Sequence, residues 1–280
     1  MKTRVISSFV ALAFAILVLM FAHTWVLYLT VASIAVGALY ELLKAMGLIK
    51  YLPECCACFA FTAFDCLIGM VHRYNFLNIL SRDIYTVIFV GALACFFLKN
   101  HDNYSYTVPF TFAGVTLCVT FSFRNLIRIV EDFPEFGVFA IVLTLASAWL
   151  ADAGAYFAGT FFGRNKLAPV ISPKKTVEGF VGGTVCNGVI LLAMSIVYGR
   201  VLNQDVTMHY VGIFIAGMLC SPIGLLGDLS ASVIKRQTGI KDYGKIMPGH
   251  GGVMDRFDSV MFIAPFMYWL LEAGWLISAK

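Results

Sequence analysis

The chain has 280 residues, of which 60% are apolar and only 13% are Asp, Glu, Lys or Arg. Soluble domains run nearer ~45–50% apolar and ~25% charged, which excludes a soluble globular enzyme, a disordered chain, a collagen and a disulfide-stapled secreted domain. The net charge of +4 suits anionic headgroups or phosphate ligands; no basic stripe interleaved with exposed aromatics is present, so nucleic acid is not an expected partner.

One bilayer crossing takes ~20 apolar residues. Apolar stretches set between turns and charges predict about nine transmembrane helices, at 5–22, 24–43, 52–71, 84–98, 108–130, 136–160, 178–199, 208–230 and 257–277. The expected fold class is an all-α polytopic integral membrane protein. The first stretch follows Lys2 and Arg4 and resembles a signal peptide. Because apolar sequence resumes directly after His23-Thr24, it is read as the first membrane helix. Cys55 and Cys58 have the C-x-x-C spacing of metal or redox sites. No second pair stands at zinc-site spacing, and cysteine is also a small apolar filler of helix bundles. His23, His72, His101 and His209 fall at span edges without paired-His spacing.

The N-terminus and the loops after the second, fourth, sixth and eighth spans carry most of the Lys and Arg, among them Lys44, Lys99, Arg164, Lys166 and Lys245. The positive-inside rule puts that side in the cytoplasm. Part of this charge falls in the polar segments described next, so ligand binding accounts for it as well as topology does. Composition shifts near residue 150. Residues 1–135 form an N-terminal set of helices, a lipid groove or scaffold. Residues 136–280 carry two polar loops, 162–179 and 227–259, both on the cytoplasmic side and both candidates for catalysis.

In the later loop, Asp228, Ser232 and Lys235 stand at i, i+4 and i+7 and share a helix face, with Arg236 beside it. An ionisable residue inside an apolar helix is costly unless paired or wetted. The helix should break at Gly239, pass Lys241-Asp242 and reach the glycine-rich turn around His250, Gly251 and Gly252, where backbone N–H groups can approach a phosphate. Asp255, Arg256 and Asp258 follow, the two carboxylates three apart and able to share a helical face. Carboxylates without soft ligands suit Mg2+, which binds one or two of them plus substrate phosphates, and Lys and Arg suit the remaining phosphate oxygens.

In the earlier loop, Ser172-Pro173-Lys174-Lys175-Thr176 stands just before the seventh span, where Ser172 or Thr176 is placed to cap a helix. Two lysines at a helix N-terminus make an anion trap or an ordinary positive-inside anchor. Asp152 in the sixth span has Tyr156 and Gly159 at i+4 and i+7. It is either a functional carboxylate or part of a helix–helix contact through Ala148, Ala151, Ala155 and Ala158.

The run Ser232-Val-Ile-Lys235-Arg236, then Lys241-Asp242, then His250-Gly251-Gly252-Val-Met-Asp255-Arg256-Phe-Asp258 resembles the signature of the phosphatidate cytidylyltransferase (CDP-diacylglycerol synthase) family. The 172–179 segment and the Asp152/Tyr156/Gly159 pattern are similar to that family's as well. Met247 stands where the family usually has Ile or Leu. The specific resemblance covers about residues 145–260.

The resemblance implies transfer of CMP from CTP to phosphatidic acid, giving CDP-diacylglycerol and pyrophosphate, with Mg2+ and with a second metal ion left open. It implies Asp228 and Asp255 as metal ligands, with Asp258 close behind. Lys175, Lys235 and Arg236 would neutralise phosphate charge, and Ser172, Lys174, Thr176, Ser232, Lys241, Asp242, His250, Gly251, Gly252 and Arg256 are expected around the substrates. The partners implied are CTP, phosphatidic acid and the bilayer, with a homodimer within the family's range.

The expected location is a bacterial plasma membrane, since no organelle-targeting segment is visible. A CTP-dependent transferase acting on another lipid phosphate would share these residues. A transporter with Asp152 and Asp228 on its pathway would need polar residues along several spans and inverted repeats, and neither is evident in the first five spans.

Overall fold

The break after the first span is made by Thr24, whose extended backbone and side-chain oxygen, accepting from the Val26 N–H at 3.3 Å, start the next helix. Helices then follow the apolar stretches in order: α1 Lys2–Met20, α2 Trp25–Ala45, α3 Leu52–Arg73, α4 Arg82–Lys99, α5 Thr107–Asp132, α6 Gly137–Phe162, α7 Val177–Val197, α8 Tyr210–Gln237, α9 Met254–Phe257 and α10 Val260–Glu272. The computed structural model describes residues 2–73, 82–102, 105–202, 205–246 and 251–279, without the side chains of 2–8 and 71–73.

Helical membrane architecture matches the expected class; the count of nine crossings is not reproduced. Among the described residues six helices are long and apolar enough to cross a bilayer: α2, α3, α5, α6, α7 and α8. The expected fourth span, α4, has Arg82, Asp83 and Lys99 within its 18 residues. The ninth, α10, is a helix of 13 residues with Pro265 inside it. The first contributes the shorter apolar stretch Phe9–Met20.

Two short strand pairs accompany the helices without changing the all-α class. Strand β1 (Lys166–Ala168) pairs antiparallel with β2 (Ser172–Thr176), Lys166 opposite Thr176 and Ala168 opposite Ser172. Strand β3 (Val206–Met208) pairs with β4 (Ile277–Ala279). Pro173 explains the first hairpin, because the residue before a proline is pushed from helical to extended backbone.

The chain divides into two compact units, 1–127 with 238–257, and 128–237 with 258–280. In the first, Leu39 and Leu43 of α2 and Phe112, Phe123 and Ile127 of α5 are fully buried. Cys55 and Cys58 are free thiols buried in α3, the place of apolar fillers. In the second, α6, α7, α8 and α10 pack around Leu143, Leu191, Ile213, Ile263 and Met267. Helices α6 and α7 touch backbone to backbone. A Cβ at Gly183 would stand 2.8 Å from the Ala151 carbonyl oxygen and from the Ala155 nitrogen, so only glycine allows this approach.

Candidate active site

The close packing of α6 on α7 leaves a cavity of about 500 Å³ in the second unit, between α6, the β1–β2 hairpin, α7 and α8. Its floor is apolar, with Ala148, Ala151, Ala155, Phe180 and Leu225. Its polar wall is made by Asp152, Lys166, Ser172, Lys174, Lys175, Thr176 and Asp228. Lys175 of β2 forms an ion pair with Asp228 of α8, the two side chains 25% and 22% exposed. A half-wet ammonium and carboxylate held at contact form a polarised pair that an anionic phosphate or a cation can enter from either side.

Local chemistry explains why β2 and α7 meet here. Thr176 is the N-cap of α7, and its hydroxyl accepts from the Gly179 N–H at 3.1 Å. The capping role offered to Ser172 or Thr176 thus falls to Thr176, while Ser172 sits in the strand and lines the cavity. The following residue but one, Glu178, accepts from the backbone N–H groups of Arg164 and Asn165 at 3.0 and 3.1 Å and from the Asn165 amide at 2.8 Å. The lysine-bearing hairpin is therefore latched to the first turn of α7 at both of its ends.

On α8, the expected face forms. Ser232 Oγ donates toward Asp228 Oδ1 at 3.5 Å, one turn away. Arg236 Nε donates to the Ile171 carbonyl at 3.4 Å, at the hairpin turn. Ser232, Lys235 and Arg236 are not among the residues lining the cavity, so its cationic wall is built from Lys166, Lys174 and Lys175. The helix ends at Gln237 and the chain turns at Gly239 with φ +71°, where the break was predicted. A Cβ at Gly227 would stand 2.4 Å from the Asp258 carbonyl oxygen, so glycine there lets α8 lie against residue 258.

Asp258 is buried, and that burial, followed by the nearby Asp228 carboxylate, pushes its carboxyl above the usual carboxylate range; Asp152 adds to the rise and Lys235 opposes it. It lies between α9 and α10, and its Oδ1 accepts from the Ser259 N–H at 2.8 Å. Asp228 and Asp258 are thus neighbouring hard oxygen donors, the ligand type that suits Mg2+. Among the described residues no three such side chains form a ready cage. The fit is to an ion that completes its shell with substrate phosphates.

Asp152 is exposed on the cavity wall, not buried in a helix contact. The small residues take that second role, since Ala151 and Ala155 meet Gly183 and Gly179 of α7. The helix contact therefore runs along one face of α6 while Asp152 stands on another.

The remaining predicted site residues lie in the first unit. Asp255 Oδ2 accepts from the Tyr243 N–H at 2.8 Å and from the Gly252 N–H at 3.0 Å. Gly251 has φ +88°, the left-handed backbone that glycine adopts without strain. Lys241, Asp242 and Arg256 are exposed. His250 lies outside the described residues. The shared helical face expected of Asp255 and Asp258 does not form, because α9 stops at Phe257 and leaves Asp258 beyond it.

One residue escaped the sequence analysis. Glu41 of α2 is 2% exposed, and its Oε2 accepts from the Met254 N–H at 2.8 Å. The signal was present, a lone carboxylate within an apolar span, but the motif it serves is far away in sequence.

A family model described as "Cytidylyltransferase family" matches residues 2–273. The sequence is 37% identical over 174 residues to a phosphatidate cytidylyltransferase of Bacillus subtilis, covering 62% of this chain and 61% of that protein. It is 45% identical over 135 residues to one of Staphylococcus saprophyticus, covering 48% of this chain and 50% of the relative. A third, from Staphylococcus epidermidis, is 33% identical over 279 residues, 97% of this chain and 99% of the relative.

Proposed function

The chain belongs to the cytidylyltransferase family, and from that premise we propose that it is a phosphatidate cytidylyltransferase, transferring CMP from CTP to phosphatidic acid with release of pyrophosphate. The observation that carries the reading is the second-unit cavity, where a lysine-rich hairpin faces Asp228 beside an apolar floor. The relatives matched carry that enzyme's name.

The residues suit the chemistry. A phosphomonoester has its second pKa near ~6, so the lipid phosphate is largely a dianion at neutral pH and needs no general base. One of its oxygens attacks the α-phosphorus of CTP. A new P–O bond forms, the α–β bridging P–O bond breaks, and pyrophosphate leaves with that electron pair. The obstacle is repulsion between two polyanions, so catalysis is chiefly charge neutralisation and in-line positioning. Lys175, Lys174 and Lys166 on the cavity wall supply positive charge, Lys235 and Arg236 add to it from α8, and Ser172 and Thr176 offer hydroxyls.

The reading assigns Mg2+ to Asp228 and Asp255, with Asp258 near Asp228. When bound, the ion supplies neutralisation of the nucleotide and pyrophosphate oxygens. Lys241, Asp242, His250, Gly251, Gly252 and Arg256 belong to the nucleotide side of the reading.

The apolar floor receives the lipid from the bilayer, while CTP arrives from the cytoplasm. We therefore place the protein in the plasma membrane with the site facing inward. α1, α4 and α10 complete nine crossings, and a homodimer belongs to the same reading.

The test is purified protein in detergent with dioleoyl phosphatidic acid, α-labelled CTP and Mg2+, with and without EDTA. Label should move into lipid with the metal present and stay in CTP with EDTA. Label in lipid only with a polyprenyl or ether-lipid phosphate would assign another acceptor. No lipid label, beside proteoliposome uptake of a phosphate or ion, would contradict the enzyme reading.

A further inference from the structure

Glu41 is a carboxylate near the end of an apolar helix, 2% exposed, and such a group is costly unless something holds it. Its Oε2 accepts from the N–H of Met254, the first residue of α9. Its Oε1 is buried and meets no hydrogen-bond donor among the described residues. Two glycines close over this carboxylate. A Cβ at Gly244 would stand 2.0 Å from Oε1, and a Cβ at Gly252 would stand 2.3 Å from Oε2 and 2.4 Å from Oε1. Real Cβ atoms do not approach an oxygen so closely, so any side chain at either position has to expel the carboxylate. The space is shared by all three residues, since the same Cβ at Gly244 would lie 3.1 Å from the Gly252 Cα.

Asp255 binds the same backbone through the N–H groups of Tyr243 and Gly252. Residues 243–244 and 252–254 thus meet two carboxylates, one brought by α2 and one from the segment itself. All of these residues belong to the first unit. A glycine-rich phosphate turn normally has small residues so that a ligand can come close. Here the space beside the two glycines is also filled by the Glu41 carboxylate.

We propose that Glu41 is a positioning residue: it seats Gly244 and residues 252–254 on α2, fixes the backbone from which Asp255 projects, and is the reason that glycines stand at 244 and 252. It touches neither substrate nor reacting atoms and acts through the Met254 amide and the two glycines. Only its effect on turnover rests on the function proposed above; the seating of the segment stands apart from it.

The test combines hydrogen exchange with kinetics on the full chain in detergent. In Glu41→Ala, exchange in the 251–257 peptide should quicken ~10-fold or more, because the Met254 amide loses its acceptor. Glu41→Gln keeps an acceptor oxygen and should exchange within ~3-fold of the parent protein. If Glu41→Ala does not fold, Gly252→Ala carries the same readout, since its methyl displaces the carboxylate and should expose the same peptide.

With CTP and phosphatidic acid, Glu41→Ala should lower kcat ~10–100-fold with KM for CTP changed less than ~3-fold, the signature of lost alignment. Gly252→Ala should lower kcat alone but add less than ~3-fold in the Glu41→Ala background, because one displacement cannot be lost twice. Unchanged exchange in Glu41→Ala and Gly252→Ala overturns the proposal. So do fully additive losses in kcat. If the parent protein makes no lipid product, the proposed reaction fails, and the exchange experiment still decides the role of Glu41.

Discussion

Asp228 and Asp255 bracket the same polar loop in the sequence, yet their carboxylates are employed in opposite ways. Asp228 projects from α8 into an open cavity and meets a charge, the Lys175 ammonium. Asp255 turns back on its own chain and binds two backbone amides. The first is placed by a helix and, in the function proposed above, exchanges its partner for a ligand. The second is placed by the segment that it also organises, so removing its acceptor oxygens also disturbs its own support. Residues of one type in one motif therefore differ in what their substitution measures. Loss of activity alone does not separate a ligand from a scaffold.

Substitutions can sharpen that contrast. The largest effect is expected from Asp255. Asp255→Asn keeps an acceptor but loses the charge, and should cut lipid product at least ~100-fold with exchange of the Tyr243 and Gly252 amides little changed. Asp255→Ala should match that loss and also release both amides. Equal protection in the alanine variant would remove the organising role.

The cavity itself depends on α6 meeting α7. Gly183→Val puts a branched side chain where a Cβ already stands 2.8 Å from the Ala151 carbonyl oxygen. It should cost about 1–3 kcal/mol of stability, read as a lower thermal midpoint in detergent. An unchanged midpoint would mean that the two helices can part freely.

The smallest effect belongs to the cap. Thr176→Ala removes the acceptor for the Gly179 N–H and should cost about 1 kcal/mol, with product formation falling only a few-fold. A loss as deep as that of Asp255→Asn would move Thr176 from the scaffold to the substrates.

Most of the helical order was legible because a membrane helix must be long, apolar and punctuated. The expected 24–43 and 108–130 segments became Trp25–Ala45 and Thr107–Asp132. The count of crossings was not, since α4 is charged at both ends and α10 is short for reasons that no hydropathy window weighs. Asp228, Ser232 and Lys235 could be aligned from spacing alone because they lie on one uninterrupted helix.

Asp255 and Asp258 could not. Their spacing suggested a shared turn, but the helix between them ends after Phe257 and the two fall in different compact units. The β1–β2 hairpin was hidden because its strands are short and polar, with Pro173 the only cue. Glu41 was missed because its partners lie more than two hundred positions away. Only a folded chain shows that the motif's glycines are small on its account.

The most direct test of the central claim, that the Lys175–Asp228 cavity is where CMP is transferred, is the single-turnover rate of purified Asp228→Asn beside the parent protein, with α-labelled CTP and phosphatidic acid. The account predicts a fall of at least ~100-fold, an unaltered thermal midpoint and unaltered exchange at Tyr243 and Gly252. A rate near that of the parent, from a variant that is equally well folded, would contradict it.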